Sequence, residues 1–279
     1  MSRSPALVLL LSVTACQADR EGTLSALTYN VHGLPPEITG DDTASRIAAI
    51  APLLNDFDLV GLQEDFDDDN HAMLSSASEY PQERRFADIL PERVYGSGLA
   101  VFSNFEEAAF HHEHYETCHG ILESASDCLA SKGFQVIRLV LGEGLELDVF
   151  NSHFEAGSDD EDYASREAQV LQILERMDAF SGSRAVLLLA DTNLHSTNNQ
   201  DAPLLDLFYE AGLEDACATV GCDEPERIDR VLFRSGELLT LEAVDWRVEP
   251  NFVDAEGIAL SDHDPISASI RWQERPAGD

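Results

Sequence analysis

Polar side chains of the kinds that bind metal ions and move protons stand at the ends of the apolar segments of this chain. Each segment that has the pattern of a β-strand delivers an Asn, Glu, His or Asp at one end. The residues singled out in this way are Asn30, Glu64, His153, Asp191, Asn193, Asp229, Asp262 and His263. Residues from several strand ends converge on a common crevice in sheet proteins, so we expect these side chains to meet.

The oxygen-bearing members of this set predict a site for a hard divalent cation. Mg²⁺ prefers carboxylate and carbonyl oxygens and keeps water and substrate phosphate as its other ligands. Glu64 can supply such an oxygen together with Asn30 or Asp262. The expected cofactor is therefore Mg²⁺, with Mn²⁺ or Ca²⁺ as alternatives.

The two histidines suit the proton transfers of phosphoester hydrolysis. A water molecule must lose a proton and attack phosphorus while the charge on the phosphate is neutralised. His153 and His263 fit these duties because imidazole titrates near neutral pH. Asp229 can hold one imidazole in the required tautomer. Taken alone, each residue has a structural explanation such as a turn or a cap, but the ordered set beside successive strands favours a site.

Alternating strand and helix patterns have to position these residues. Strands are predicted at residues 24–31, 57–62, 98–103, 134–141, 145–152, 185–190, 227–233, 238–247 and 265–272. Helices are predicted at residues 43–55, 161–180 and 203–211, and Asp42 or Thr43 is the expected cap of the first. Residues 67–95 are polar and are interpreted as surface loop and short helix. The pattern indicates an α/β protein with a two-layered sheet core flanked by helices.

The charge balance argues against a nucleic-acid binder. The chain has 53 acidic and 17 basic side chains, a formal net charge of −36, and Lys132 is its only lysine. Such a surface repels polyanions and cannot build the basic stripe that marks most nucleic-acid binders. The alternative explanation is that the acidity serves solvation and says nothing about the substrate.

The N-terminus has the pattern of an export signal. A short positive region is followed by an apolar run too short to span a membrane, and the run ends at Cys16. This end resembles the lipobox of bacterial lipoproteins, in which the cysteine is acylated. We therefore expect a signal peptide at 1–15, a tether at 16–23 and one domain at 24–273. The protein is then expected in the cell envelope or outside the cell, anchored at Cys16; an ordinary signal peptide with a chance cysteine is the alternative.

The remaining cysteines favour two disulfides. Setting Cys16 aside leaves Cys118 close to Cys128 and Cys217 close to Cys222, and an exported protein sits where disulfides persist. Other pairings stay open, because spacing alone does not determine connectivity. A nearby histidine tract is interpreted as a solvated loop rather than a metal site; it comprises His111, His112, His114 and His119.

From Leu24 to Trp272 the chain resembles the endonuclease/exonuclease/phosphatase superfamily, which includes DNase I, exonuclease III and bacterial sphingomyelinases. Motifs of this family match, in order, Asn30, Gln63-Glu64, His153, Asp191-x-Asn193 and Ser261-Asp262-His263-x-Pro265. The resemblance implies a four-layered α/β/β/α sandwich, as in DNase I, and in-line attack of water on a phosphoester with a divalent cation. It also implies that Glu64 binds this metal, with Asn30 and Asp262 near it. Asp191, Asn193, His153 and His263 would then surround the phosphate and the attacking water, with Asn30, His153 and Asn193 contacting substrate.

Shorter segments resemble the secreted bacterial sphingomyelinases. They are Gln63-Glu64-Asp65-Phe66-Asp67, Glu79-Tyr80-Pro81 and Ser131-Lys132-Gly133-Phe134. Two features of those enzymes are missing: the aromatic membrane-inserting hairpin is reduced to Trp246 and Phe252, and an acidic pair is replaced by Tyr95-Gly96-Ser97. The resemblance therefore implies a phosphodiesterase acting on a small phosphodiester or a phospholipid. The alternatives are a secreted nuclease and, from another class, a surface-anchored binding protein with an inactive site.

Overall fold

The computed structural model describes residues 20–121 and 127–275, and within them twelve strands form two six-stranded sheets. The strands are β1 (Glu21–Asn30), β2 (Leu59–Gln63), β3 (Gln82–Phe86), β4 (Leu99–Ser103), β5 (Glu106–His114), β6 (Gly133–Gly142), β7 (Leu145–His153), β8 (Ala185–Asp191), β9 (Glu214–Asp215), β10 (Asp229–Arg234), β11 (Leu239–Val248) and β12 (Ile266–Glu274). The α-helices are α1 (Pro36–Thr39), α2 (Thr43–Ile50), α3 (Asp68–Ala77), α4 (Asp160–Ser181), α5 (Ala202–Glu210) and α6 (Ala216–Val220). Short 3-10 helices lie at Ala51–Asp56 and Asp127–Leu129.

Each sheet contains one pair of parallel neighbours. The first sheet has the order β11-β12-β1-β2-β4-β3, with β1 and β2 parallel. The second has the order β5-β6-β7-β8-β10-β9, with β7 and β8 parallel. The other ladders are antiparallel. The carboxyl ends of β1 and β2 therefore lie at one edge of the first sheet, and those of β7 and β8 lie at one edge of the second. These two edges can face a single crevice.

Three apolar clusters separate four layers. One cluster lies between the two sheets and includes Leu59, Val149 and Leu189. A second packs α4 and α5 on the second sheet, and a third packs α2 and α3 on the first. The alternation of side chains along a strand explains why β8 is apolar throughout: one set of its residues faces the other sheet and the next set faces the helices. The expected four-layered α/β/β/α sandwich is confirmed.

Most predicted elements are confirmed within a few residues, including the hairpin of β6 and β7 and the Asp42 cap. The carboxylate of Asp42 accepts a hydrogen bond from the backbone N–H of Ser45. The helix predicted at 43–55 is shorter than expected, because the α-helix ends at Ile50 and the chain continues as a 3-10 helix to Asp56. Pro52 lies in this second part and has no backbone N–H to continue the α-helical ladder.

Two edge strands, β3 and β5, were not predicted from the sequence. Residues 67–95, expected as loop and short helix, contain the ten-residue helix α3 and the strand β3. The histidines expected in a solvated loop instead lie mostly on β5, where the rings of His112 and His114 pack on Phe86 at centroid distances of 4.2 and 4.5 Å. Both strands are half-buried edge strands without a clear apolar alternation, so their pattern did not reveal them.

Both expected disulfides are present, and they link Cys118 to Cys128 and Cys217 to Cys222. The signal peptide at 1–15, the lipidated Cys16 and most of the tether at 16–23 lie outside the described residues. The domain boundaries at 24 and 273 stay predictions. Among the described residues, no helix is both long and apolar enough to cross a membrane.

A buried amide pair ties the two sheets together directly beneath the strand ends. Gln63 Nε2 donates to Asn151 Oδ1 at 2.7 Å, and Asn151 Nδ2 donates to the carbonyl oxygens of Leu62 and Ala100 at 2.9 and 3.0 Å. Gln63 and Asn151 are both fully buried. Gln63, which matched a family motif beside Glu64, thus makes structural contacts between sheets.

We expect Asn151→Ala to lower the free energy of unfolding by about 3 kcal/mol, because it removes three buried hydrogen bonds, one from Gln63 and two to the carbonyl oxygens of Leu62 and Ala100. Urea unfolding followed by circular dichroism measures this change. Asn199→Ala is the matched control, since Asn199 is exposed and its loss should change stability by less than about 0.5 kcal/mol. Equal stabilities of the two variants would contradict the proposed role of the amide pair.

Candidate active site

The polar strand ends meet at one end of the sandwich. Asn30 ends β1, His153 ends β7 and Asp191 ends β8. β10 runs antiparallel to β8, so its first residue, Asp229, pairs with Asp191. His263 precedes β12, which runs antiparallel to β1. The crevice expected from the sequence thus draws on both sheets.

Asp191 lies at the centre of this crevice and is almost fully buried. Its Oδ2 accepts a hydrogen bond from Asn30 Nδ2 at 3.0 Å and lies 3.3 Å from His153 Nε2 and 3.7 Å from His263 Nε2. Burial opposes ionisation, but the two imidazoles and the Asn30 amide outweigh it and lower the pKa of Asp191. The carboxylate is therefore ionised and can accept a proton from a nearby water.

His263 is held as a cation by a second carboxylate. Its Nδ1 lies 2.8 Å from Asp229 Oδ2. Burial by itself lowers the pKa of His263, but the hydrogen bond to Asp229 and the charges of Asp191 and Asp229 raise it to about 10. Burial, with the charge of Asp191, raises the pKa of Asp229 to about 7. The predicted role of Asp229 as the partner of an imidazole is consistent with this contact.

The surroundings of His153 shift its pKa in the opposite direction from that of His263. Burial, followed by the charge of Lys132, lowers its pKa, so its imidazole is neutral. Lys132 Nζ lies 3.3 Å from His153 Nε2, donates to the Phe154 carbonyl oxygen at 2.8 Å and forms an ion pair with Asp127. His153 Nδ1 is buried without a hydrogen-bond partner among the described residues.

Lys132 and Asp127 are site residues that the sequence reasoning missed. The chain's only lysine was noted as part of a short family-like segment, without a role. Its contact with His153 arises because β6 and β7 form a hairpin, which places the start of β6 beside the end of β7. That hairpin was predictable, so the position of Lys132 at its open end, near His153, was a signal that could have been used.

Asn193 and Asp262 are less closely joined to the central group. Asn193 donates its backbone N–H to Asp191 Oδ1 at 3.1 Å, while its side-chain amide donates to the Phe154 carbonyl oxygen at 3.1 Å. Asp262 lies at the rim, with a side chain that is 61% exposed. Its carboxylate is 3.2 Å from His32 Nδ1.

Glu64 has the properties of a metal ligand. Its Oε1 accepts from Asn30 Nδ2 at 3.0 Å, whereas its Oε2 is buried and has no hydrogen-bond partner among the described residues. An unpartnered buried carboxylate oxygen is costly unless a cation or water completes it. His32 Nδ1 lies 3.9 Å from Glu64 Oε2 and thus connects Glu64 with Asp262. This donor set fits a hard divalent cation, and His32 is a neighbour of it that the sequence analysis did not single out.

A second group of possible ligand atoms belongs to Asp191, Asp229 and His263, which lie within 4.8 Å of one another. We favour Glu64 as the metal ligand, because its Oε2 is buried and accepts no hydrogen bond from the described residues. Both ring nitrogens of His263 already face carboxylates. The second group is better suited to proton transfer.

Backbone strain is concentrated at the same place. Among the described residues, four that are not glycine have positive φ, and three of them belong to the site: His32 at 49°, Glu64 at 59° and Asn193 at 49°. This conformation costs about 1–3 kcal/mol for such residues and is typical of functional sites. The fold therefore stores strain where it orients these side chains.

The buried carboxylate of Glu155 makes stability depend on pH. It accepts hydrogen bonds from the backbone N–H of His119 at 2.5 Å and from Gln169 Nε2 at 3.1 Å. Burial, followed by the charge of Asp127, raises the pKa of Glu155 to about 7. The folded state therefore binds this proton more tightly than the unfolded state, so the stability from Glu155 is largest at low pH and declines as pH rises to about 7.

We expect Glu155→Gln to flatten this decline, because the variant has no proton to lose. The measurement is the free energy of unfolding in urea between about pH 5 and 8, compared with the parent protein. Glu167→Gln, at an exposed position on α4, should keep the parental slope. A variant at position 155 that follows the parental slope would show that Glu155 does not titrate as described.

Comparison with known proteins places this geometry in a family. Sphingomyelinases of Mycobacterium bovis and Mycobacterium tuberculosis are 29% identical over 272 residues, which is 90% of this chain. The match is 53% of their length, so the chain spans about half the length of the curated relatives it matches.

Solved structures share the fold. Sphingomyelinase C from Streptomyces griseocarneus superposes with a TM-score of 0.68 at 20% identity, covering 89% of this chain and 99% of that one. A mutant beta toxin from Staphylococcus aureus with bound magnesium ions gives a TM-score of 0.66 at 17% identity, covering 88% and 99%. Residues 27–263 match the model of the endonuclease/exonuclease/phosphatase family, and this chain belongs to that family.

Proposed function

We propose that this protein is a divalent-cation-dependent phosphodiesterase that acts on small or lipid-like phosphodiesters. The observation that carries the proposal is the arrangement around Asp191. The carboxylate of Asp191 and the imidazoles of His153 and His263 share one buried crevice, beside Glu64, whose Oε2 has no hydrogen-bond partner among the described residues. These are the acid, the base and the metal ligand that phosphoester hydrolysis needs.

Each residue can be given a duty from its protonation state. Asp191 accepts a proton from the attacking water, whose oxygen bonds to phosphorus as the bond from phosphorus to the leaving oxygen breaks. The leaving oxygen keeps the electron pair of that bond and takes a proton from solvent. His263, cationic and oriented by Asp229, donates a hydrogen bond to the phosphate. His153, neutral, and the amides of Asn30 and Asn193 position the phosphate. A divalent cation, held by Glu64 with Asn30 and Asp262 near it, would neutralise charge on the phosphate.

A lipid-like substrate is favoured over nucleic acid. The mycobacterial and Streptomyces proteins similar to this chain are named sphingomyelinases. The net charge of −36 also opposes docking of a polyanion, whereas nucleases gain much of their affinity from Lys and Arg that neutralise several phosphates. A small phosphodiester has one charge to neutralise, which the metal site can do.

We also propose Mg²⁺ as the ion and export with anchoring at Cys16 as the location. The support for Mg²⁺ is the oxygen-rich donor set around Glu64 and the magnesium ions bound by the Staphylococcus beta toxin, a protein of similar fold. The support for export is the N-terminal sequence pattern and the two disulfides. Mass spectrometry of the protein from its native membrane tests the anchor, and an unmodified Cys16 there would refute it.

The deciding experiment is an activity screen with Mg²⁺ and after chelation. The substrates are sphingomyelin, phosphatidylcholine, duplex DNA, RNA and inositol phosphates at moderate ionic strength. We expect release of phosphocholine that depends on the cation. Cutting of DNA without release of phosphocholine would favour a secreted nuclease, and the absence of all hydrolysis would favour a binding protein.

A further inference from the structure

Several arginines bind main-chain carbonyl oxygens beside the proposed active site. Among the described residues, four arginines each donate hydrogen bonds to two or more such oxygens, and they are Arg46, Arg85, Arg166 and Arg230. Every oxygen that they bind lies within four residues of a residue proposed for catalysis or metal binding. The chain has only 17 basic side chains, and the duties proposed for hydrolysis involve none of these four.

Arg46 joins the loop after β1 to the loop before β12. Its guanidinium donates to the carbonyl oxygens of Val31 and His32 at 3.1 and 2.8 Å in the first loop. It also donates to that of Leu260 at 2.8 Å in the second loop. The second loop carries Asp262, whose carboxylate lies 3.2 Å from His32 Nδ1. Arg46 therefore sets the distance between two loops that lie far apart in sequence.

Arg85 holds the segment that follows Glu64. Its Nη2 donates to the carbonyl oxygens of Asp65 and Phe66 at 3.1 and 3.0 Å, and its Nη1 donates to the carboxylate of Asp68 at 2.5 Å. Glu64 directly precedes the two bound carbonyls in the chain. Arg85 therefore limits the directions in which the carboxylate of Glu64 can point.

Arg230 and Arg166 hold two further loops and are themselves buried. Arg230 donates to the carbonyl oxygen of Leu194 at 3.1 Å, one residue after Asn193. Arg166 donates to that of Glu155 at 2.6 Å, in the segment that follows β7. These contacts lie beside the residues that are proposed to position the phosphate.

The arginine contacts coincide with the strained backbone of the site. His32, Glu64 and Asn193 have positive φ. Guanidinium groups bind the carbonyl oxygen of His32 itself and those of the residues that directly follow Glu64 and Asn193. Such a conformation persists only where the surrounding structure over-determines it. Arginine is suited to this task, because its planar fork of donors can bind several oxygens at once through charge-assisted hydrogen bonds.

We propose that these four arginines are positioning residues, which hold the strained loops so that the side chains of the site keep the directions that metal and phosphate binding need. The inference rests on the proposed phosphodiesterase function and adds to it a set of residues that act through the backbone. The guanidinium groups hold carbonyl oxygens of the loops, and the loops in turn orient the side chains that bind and react.

The four arginines act on two different parts of the site. Arg46 and Arg85 hold the metal side, which comprises Glu64, His32 and Asp262. Arg166 and Arg230 hold the phosphate side, which comprises His153 and Asn193. Loss of an arginine on the metal side should therefore weaken Mg²⁺ binding. Loss of one on the phosphate side should lower turnover and leave Mg²⁺ binding unchanged.

Calorimetric titration with Mg²⁺ tests the metal side without any substrate. Arg46→Gln and Arg85→Gln should each raise the Mg²⁺ dissociation constant about tenfold or more, as is typical for residues that orient metal ligands. Arg46→Lys should recover part of the loss, because lysine keeps the charge but not the fork of donors. Arg271→Gln is the matched control, since Arg271 is exposed and pairs with Glu242 at 2.7 Å on the surface. It should bind Mg²⁺ as the parent does.

Steady-state hydrolysis of a chromogenic phosphodiester at saturating Mg²⁺ tests the phosphate side. Arg230→Lys and Arg166→Lys should each lower kcat about tenfold or more, because a small displacement of positioning groups can cost up to about a hundredfold. The Mg²⁺ dissociation constant of these two variants should stay within about twofold of the parental value, well below the change that follows loss of a residue that orients metal ligands. Urea unfolding shows that each variant is folded under the conditions of the assay.

Amide hydrogen exchange followed by mass spectrometry measures the loops directly and needs neither metal nor substrate. Residues 31–34 should exchange faster in Arg46→Gln than in the parent, while residues 192–195 keep the parental rate. Arg230→Lys should show the reverse pattern. Parental exchange of these loops in both variants would overturn the proposal.

The combined results distinguish positioning from a purely structural role. Faster exchange with parental Mg²⁺ affinity and parental kcat would show that the arginines only stabilise the loops, and would overturn the proposal. Equal losses of Mg²⁺ affinity in the variants of both sides would also contradict it. A parent that binds no Mg²⁺ and hydrolyses no phosphodiester would count against the proposed function, whereas the exchange measurement would still decide whether the arginines hold the loops.

Discussion

Replacing Asp191 with Asn should lower kcat for phosphodiester hydrolysis about a thousandfold, within the range typical of a positioned acid or base. Asn has the same shape, but it cannot accept a proton from water. It also removes the negative charge that Asn30, His153 and His263 face in the crevice. KM should change less than about threefold, because the lost interaction is made in the transition state and not in the ground state.

The measurement is steady-state hydrolysis of a chromogenic phosphodiester at saturating Mg²⁺, with circular dichroism to show that the variant is folded. Asp206→Asn, at an exposed position on α5, is the matched control and should keep the parental kcat. His263→Ala should lower kcat by a similar factor, because it removes the cation that Asp229 orients. An effect on KM alone would mean that Asp191 and His263 only bind substrate.

Loss of a residue that only orients metal ligands lowers activity by about 10- to 100-fold. Glu64→Gln should lower kcat/KM by more than this. The carboxamide keeps the size of the side chain but removes the charge that holds a divalent cation. Its Oε2 is buried and has no hydrogen-bond partner among the described residues. The activity that remains should need a much higher Mg²⁺ concentration.

Metal binding itself gives an independent measurement of this effect. A ligand that binds the folded state stabilises it, by about 2.7 kcal/mol at a hundred times its dissociation constant. Mg²⁺ should therefore raise the Tm of the parent and of Glu210→Gln, an exposed control on α5, but not that of Glu64→Gln. A parental response to Mg²⁺ in Glu64→Gln would place the metal elsewhere, and the group of Asp191, Asp229 and His263 would then be the next candidate.

Two strands were not predicted, and they show which elements a local sequence pattern does not reveal. β3 and β5 are edge strands, and each has a solvated side along its length. Their residues are neither continuously apolar nor strictly alternating, so a local pattern resembles loop. β8, in contrast, is buried on both faces and was predictable from its apolar run.

For the site residues, the identities were predictable from the sequence and the protonation states were not. Asn30, Glu64, His153, Asp191 and His263 could be selected from the sequence because each follows or precedes an apolar strand, which is a local property of the chain. Their roles stay predictions for the experiments above. The protonation states were not accessible, because they depend on burial and on neighbours that are distant in sequence, such as Asn30 and Asp191, which are 161 positions apart.

The sequence alone was enough to infer the layered α/β architecture, the family resemblance and the chemical types gathered at the strand ends, because strand periodicity and motif order are written along the chain. Only the folded structure revealed the ion pair of Lys132 with Asp127 beside His153, and that Glu64 Oε2 is buried without a hydrogen-bond partner among the described residues. These features arise where segments far apart in sequence pack together, and burial then determines which charges persist and which oxygens lack a partner.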